Sequence, residues 1–415
     1  MTYIDRAVDY SVSADLAVMG AVLLEGVRGC GKTETGFQHA NSQFRVDQAQ
    51  NRRLAVLNPA AALDGAMPRL IDEWQLAPDL WNEVRHEIDA RREPGQFILS
   101  GSATPADDVT RHTGAGRISR IRMRPMALGE TYPQEQRVTL SQLRSMDYLP
   151  ALTGHLSYRD LAVEAVRGGW PFLISTKQPG FVRYVRNYLE NIVHADISQL
   201  GTEYSPMRVR RLLSSVARNI SSEAAATTLA ADVSADGGKL SAASAREYLD
   251  ALTRIFVLEE LPAWSGSLRS KTRLRQQPKL HFCDPSLACA ALRITPEALA
   301  NDPEYFGQIF ESMAVRDLRV YADQIDASCF GYRDGAGLEV DVLIEFAEGG
   351  WAGVEVKLGE SDAVIRSAEK NLLRLANYRM TTNPEFLVVV TGGSSVFTLP
   401  SGVHILPLSV LGPIR

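Results

Sequence analysis

Gly26-Val27-Arg28-Gly29-Cys30-Gly31-Lys32-Thr33 follows the short apolar run Ala21-Val22-Leu23-Leu24 and precedes a stretch, Thr33 to Ala40, that can run as a helix until Asn41. The pattern G-x-x-x-x-G-K-[ST], set between a buried strand and a helix, predicts a phosphate-binding loop. Gly26, Gly29 and Gly31 let the backbone curl so that successive N–H groups point at one anion, with Cys30 inside the same curl. The helix N-terminus adds its partial positive charge at that point. Lys32 is placed to reach the β- and γ-phosphates of a nucleotide, and the Thr33 hydroxyl to ligate Mg²⁺.

Downstream, Gln43-Phe44-Arg45-Val46-Asp47 predicts a second strand. Leu70-Ile71-Asp72-Glu73 is a brief apolar run ending in two acids, although Pro68 and Arg69 interrupt it. Beside a phosphate loop, Asp72 would hold Mg²⁺ through water and Glu73 would polarise the attacking water as general base. Asp79 to Ala90 predicts a helix with Leu80, Trp81, Val84 and Ile88 on one face, which makes Trp81 a core residue rather than a ligand. Gln96-Phe97-Ile98-Leu99-Ser100-Gly101-Ser102 predicts a strand that ends in small polar residues, where Ser100 could sense the γ-phosphate. Next come five arginines in fourteen residues. Arg117, after two glycines, is a candidate arginine finger or sensor, whereas Arg120, Arg122 and Arg124 alternate as one solvated strand face would.

The 415 residues suffice for two or three domains, and the net charge of −5 gives no global attraction to nucleic acid. The N-terminus lacks the charged-then-apolar pattern of a signal peptide, and Ala17 to Leu24 is too short to span a bilayer. Cys30, Cys283, Cys289 and Cys329 show no zinc-ligand spacing, so a reducing cytoplasm and no membrane are expected. No N-K-x-D motif supports guanine recognition.

Gly154 to about Leu200 predicts helix, with Val182, Tyr184, Val185, Tyr188, Ile192 and Val193 on one face. Three more helices are expected between Met207 and Val257, followed by a basic loop, Ser265 to Lys279, that holds Arg269, Lys271, Arg273, Arg275 and Lys279. Three helices and such a loop suit a winged helix whose wing lies along phosphates. Farther on, Phe306 to Ala322 predicts a helix carrying Glu311. Leu338 to Ile344 and Trp351 to Lys357 predict a hairpin turning at Gly349-Gly350. Asp341 stands on its first strand; Glu355 and Lys357, two apart on its second, face one side. Asp followed by Glu-x-Lys is the PD-(D/E)XK signature, in which Asp341 and Glu355 would hold Mg²⁺ and Lys357 would activate water against a phosphodiester. Glu311 would be a supporting acid. The residue before Asp341 is Val340, where the motif's name has proline. Phe386 to Val390 predicts a buried strand of the same sheet.

In order, GVRGCGKT, LIDEWQLAP, FILSGSATP and HTGAGRISRIRMRPMALGE resemble a bacterial and archaeal group of AAA-type ATPases with a C-terminal domain related to PD-(D/E)XK nucleases. The resemblance implies an α/β chain in three parts: an AAA-like P-loop ATPase domain over 1–150, a helical and winged-helix segment over 151–285, and a nuclease-like domain over 286–415. It also implies that Asp72, Glu73, Ser100 and Arg117 match nucleotide-site positions. The expected activity is Mg-dependent ATP hydrolysis coupled to a C-terminal half that binds DNA or RNA. An ATP-regulated metal-dependent nuclease and a nucleotide-switched protein-interaction module are the alternatives. Arg117 acting across a subunit interface would make the protein a homo-oligomer.

Overall fold

The apolar run before the phosphate loop becomes the interior of a sheet. The computed structural model describes residues 3–102, 114–132, 137–196, 204–235, 240–264 and 277–414. Strands β1 (Ala21–Glu25), β2 (Ser42–Arg45), β3 (Arg69–Asp72), β4 (Phe97–Gly101) and β5 (Ile118–Arg122) form one sheet in the order β2-β3-β4-β1-β5. Every pair is parallel. Parallel strands need crossover connections and are covered on both faces, which is why β1, β3 and β4 read as apolar runs rather than alternations. Helices α1 (Ala7–Leu16), α2 (Lys32–Gln38), α3 (Ala49–Leu57), α4 (Pro59–Ala62) and α5 (Leu80–Arg91) accompany them. In α5 the four expected residues are buried, and Trp81 packs against Trp74 with ring centroids 5.1 Å apart.

Two boundaries shift for physical reasons. Arg69 joins β3 because its Nε donates to the Ala62 carbonyl at 2.8 Å and its Nη1 to the Ser42 hydroxyl at 2.9 Å, so a charged side chain is satisfied inside the sheet. Glu73 leaves β3 because its backbone takes a φ of 58° and opens a short 3₁₀ turn over Trp74–Leu76.

These elements form one compact unit, Met1–Pro125 together with Arg254–Phe256, and Met126–Thr253 with Val257–Arg415 forms a second. The first break therefore falls at Pro125 rather than at residue 150. The second unit begins with α6 (Leu128–Thr131), α7 (Leu140–Leu143), α8 (Tyr158–Arg167) and α9 (Gly180–Asn191). Next come α10 (Pro206–Arg218), α11 (Ala226–Ala235) and α12 (Ala242–Arg254), the three expected helices. An antiparallel pair follows, β6 (Leu258–Leu261) with β7 (Lys279–Phe282). Then come α13 (Pro285–Ala291), α14 (Pro296–Ala300) and the long α15 (Pro303–Asp323). The expected break at residue 285 is absent: α13 packs on α8, α9 and α10, and α15 packs on α13 and α14.

The chain closes with β8 (Ala327–Arg333), β9 (Glu339–Phe346), β10 (Trp351–Lys357), α16 (Asp362–Tyr378), β11 (Phe386–Thr391), β12 (Phe397–Thr398) and β13 (His404–Pro407). The strands form a mixed sheet in the order β12-β13-β11-β10-β9-β8. The hairpin lies where the alternation placed it: β9 and β10 are antiparallel, joined through Gly349 and Gly350, both at positive φ. Leu343, Trp351, Leu372, Val389 and Ile405 belong to the core between this sheet and α16.

Candidate nucleotide site and acidic cluster

The phosphate-loop side chains converge at the carboxyl end of β1. A Cβ on Gly26 would lie 2.1 Å from the Met123 carbonyl, so only glycine fits there. Gly29 and Gly31 have φ of 79° and 108°, and α2 starts at Lys32 directly after the second. Lys32 is buried, and its Nζ donates to the carbonyls of Gly26 (2.8 Å) and Val27 (3.0 Å), which holds the ammonium across its own loop. Cys30 is fully buried, and its carbonyl accepts from Arg6 Nη1 at 2.8 Å. Arg6 Nη2 also donates to the Arg124 carbonyl at 2.9 Å, tying the loop to the segment after β5.

Asp72 is the hub of the site. Its Oδ1 accepts from the Thr33 hydroxyl at 2.9 Å and from the Ser100 hydroxyl. The register explains the meeting: Arg45, Asp72 and Ser100 are directly paired across β2, β3 and β4, so their side chains leave the same face at one level. Arg45 is a member the sequence reading missed. Its Nε lies 3.9 Å from Asp72 Oδ2 and its Nη2 3.2 Å from Asp47 Oδ2. The Glu73 carboxylate accepts from Gln75 Nε2 and, at 3.4 Å, from the Ser102 hydroxyl. The Thr33 hydroxyl and the Asp72 carboxylate are hard oxygen donors within reach of one Mg²⁺, and so fit that ion. Bound there, it would neutralise phosphate charge, with Thr33 holding it directly and Asp72 through water.

Arg117 is not at this site. Ala21, the first residue of β1, donates its N–H to the Arg117 carbonyl at 3.0 Å, and Ile118 pairs with Ala21. Arg117 thus stands at the opposite end of β1 from the loop, roughly 13 Å away at the strand's rise per residue. Its Nε donates to Asp89 Oδ1 at 2.6 Å. A sensor role on the nucleotide of the same chain is corrected by this geometry. The alternating arginines are also less uniform than expected. Arg120 is exposed and pairs with Glu25, whereas the guanidinium of Arg122 lies 4.5 Å from the Phe256 ring centroid.

The second cluster forms in the other unit. Lys357 Nζ lies 2.6 Å from Glu355 Oε2 and 3.1 Å from Asp341 Oδ2. Asp341 Oδ2 also accepts the Val356 N–H at 2.7 Å, standing in for a ladder bond where β9 and β10 diverge. Asn371 of α16 donates to Glu355 Oε1 at 3.1 Å. Glu311 on α15 arrives through a residue that was expected elsewhere. Lys279 is not a wing charge but a buried member of β7, 2.9 Å from both Glu311 Oε1 and Glu339 Oε1 and 4.0 Å from Asp341 Oδ1. The remaining wing cations, Arg269, Lys271, Arg273 and Arg275, lie outside the described residues.

The four expected residues meet, but not as a metal cage. Ammonium and amide donors engage the oxygens assigned to Mg²⁺, and no group of three or more His, Cys, Asp or Glu among the described residues is arranged to hold a metal ion. Four carboxylates face two lysines. Burial and the Asp341 charge push the Glu311 carboxyl up to about 8 against the pull of Lys279. Burial and Asp341 likewise push Glu355 up to about 7, opposed by Lys357. Such a cluster can hold and pass a proton near neutral pH.

Comparison with known proteins supports a P-loop ATPase domain in the first unit. Residues 19–132 match a family model described as an AAA domain. Residues 158–298 and 306–411 match two models that are each described as a domain of unknown function, DUF8612 and DUF4143. The uncharacterized proteins Mb2031c of Mycobacterium bovis and Rv2008c of Mycobacterium tuberculosis are each 25% identical to this chain over 394 residues, covering 93% of it and 79% of their own length. Among solved structures, the Walker-type ATPase paby2304 of Pyrococcus abyssi is similar over 70% of this chain and 96% of its own, with a TM-score of 0.45 and 12% identity. No helix among the described residues is long and apolar enough to cross a membrane.

Proposed function

We propose that the protein binds Mg-ATP at Gly26–Thr33 and Asp72, hydrolyses it slowly, and couples that cycle to a nucleic-acid-binding C-terminal half. The observation that carries the ATPase reading is the Thr33–Asp72–Ser100 junction beside a lysine already held at the loop mouth. Lys32 binds phosphate, Ser100 stands beside the reacting end of the nucleotide, and Glu73 takes a proton from the attacking water. The α10–α12 helices followed by the β6/β7 pair support a winged helix as part of the nucleic-acid half. The test is ATP turnover with and without DNA and RNA. Lys32→Ala is expected to abolish ATP binding, and Glu73→Gln to bind ATP without turning it over. Normal turnover by Glu73→Gln would remove Glu73 from the role of base.

A nuclease reading is favoured by one observation, the meeting of Glu311, Asp341, Glu355 and Lys357. Cleavage of DNA or RNA by the wild type with Mg²⁺ or Mn²⁺, lost in both Asp341→Ala and Lys357→Ala, would establish it. Absence of cleavage would leave that domain a binding role.

A further inference from the structure

Helix α16 has two unlike faces. Ile365, Ala368, Leu372 and Leu375 are buried, at the spacing of one helical stripe. On the other side stand Arg366, Lys370 and Arg374, four residues apart and so about 6 Å apart along the axis. Tyr378 continues the same line and is 74% exposed. Together with Leu373 and Arg379 these residues line an open concavity of about 590 Å³.

The charge on this face is unspent. Elsewhere in the unit the buried arginines are matched with acids: Arg316 with Asp284 and Asp317, Arg319 with Glu259. Arg366, Lys370 and Arg374 make neither a hydrogen bond nor an ion pair with the described residues. The one acid in the concavity, Glu369, accepts from the Ser401 hydroxyl, and Arg379 is held by Asp334. In a chain of net charge −5, these three cations in a row make a local positive stripe.

We infer that this face of α16 is a binding surface for a single-stranded nucleic acid. Point cations at a regular spacing follow a phosphate backbone, and an exposed tyrosine at the end of the row gives an unpaired base a ring to stack on. A duplex buries its base faces and would leave Tyr378 unused. Asn371, on the flank of the same helix, donates to Glu355 and so links the helix to the cluster of Asp341, Glu355 and Lys357. This inference deepens the nucleic-acid half of the reading above and is independent of its ATPase half.

The experiment uses the full chain, without nucleotide, and follows the fluorescence anisotropy of a labelled oligodeoxythymidylate across a salt series. The triple variant Arg366→Ala, Lys370→Ala, Arg374→Ala is expected to lower the log–log salt slope by about 2, since each phosphate contact on a single strand contributes about 0.7. Tyr378→Ala is expected to weaken binding severalfold at an unchanged slope, and Tyr378→Phe to restore it. Replacing the three cations by lysine or arginine in exchange should keep the slope, which separates charge from helix stability. Lys32→Ala should bind the oligonucleotide as the wild type does. If the wild type binds no oligonucleotide at low salt, the nucleic-acid reading itself fails. If it binds but the triple variant keeps the slope, the α16 assignment is overturned while that reading stands. Capture by phosphatidylserine vesicles, lost in the triple variant and without oligonucleotide binding, would make the face a lipid contact and overturn the inference.

Discussion

Asp72 Oδ1 takes two hydroxyls at once, one from the helix after the loop and one from the end of β4. In the proposed ATPase, the ion and the reacting phosphate would sit beside this carboxylate, with Arg45 a further charged side chain at the same level. Half-exposed and 3.9 Å from Asp72, Arg45 can hold the carboxylate in place or meet phosphate charge itself. A half-exposed ion pair at that distance contributes up to about 1 kcal/mol, so Arg45→Ala is expected to lower turnover up to about fivefold, with ATP affinity changed less. A change only in melting temperature would make Arg45 purely structural. Cys30 gives a simpler expectation. Because it is fully buried, native alkylation by N-ethylmaleimide should be slow with or without ATP, and should become fast in urea. Rapid native labelling would show that the loop opens. The meeting of Thr33, Asp72 and Ser100 was legible from their motifs. Arg45 was not, because its role follows from strand order, and the pairing of β2 with β3 carries no local motif.

At the scale of elements, β9, β10, β7 and α15 bring four acids to two lysines. Removing Lys279 takes away the donor shared by Glu311 and Glu339, so Lys279→Ala is expected to destabilise the unit by about 1–3 kcal/mol in urea denaturation. Loss near zero would mean that water reaches the site. Protonation should also show in stability. The Glu311 and Glu355 carboxyls are raised in the folded chain to about 8 and 7, whereas an unfolded glutamate ionises near 4.3. Between those values the folded state binds more protons than the unfolded one, so stability falls as pH rises from about 5 to 8. Glu355→Gln should flatten that fall, and carboxyl-resolved NMR should place both titrations above 6. Titration of both groups below 5 would contradict the assignment. The hairpin itself could be read from alternation and from Gly349-Gly350. Lys279 could not, because a lysine ending a basic stretch reads as solvated, and only the pairing of β6 with β7 turns it inward.

At the scale of the molecule, Arg117 stands away from its own chain's nucleotide, so any action on phosphate needs a second copy. Mixing Arg117→Ala with Lys32→Ala protein tests this: recovered turnover requires an oligomer with shared sites, and full turnover by Arg117→Ala alone ends the arginine's candidacy. The division expected from the sequence had three parts, whereas the chain forms two compact units. Pro125 marks the first break, yet nothing around residue 285 could signal that α13 would join α8, α9 and α10, since packing partners of short apolar helices are chosen by shape. One seam has a practical side. The stretch that matches the AAA domain starts at residue 19, but the brace on the phosphate loop starts at Arg6. A chain trimmed to that stretch would display every nucleotide motif and still lack the arm that steadies Cys30 and the segment after β5. Each binding event would then carry the cost of ordering the loop afresh. A shortened domain can thus look whole by its motifs and be slack in the hand.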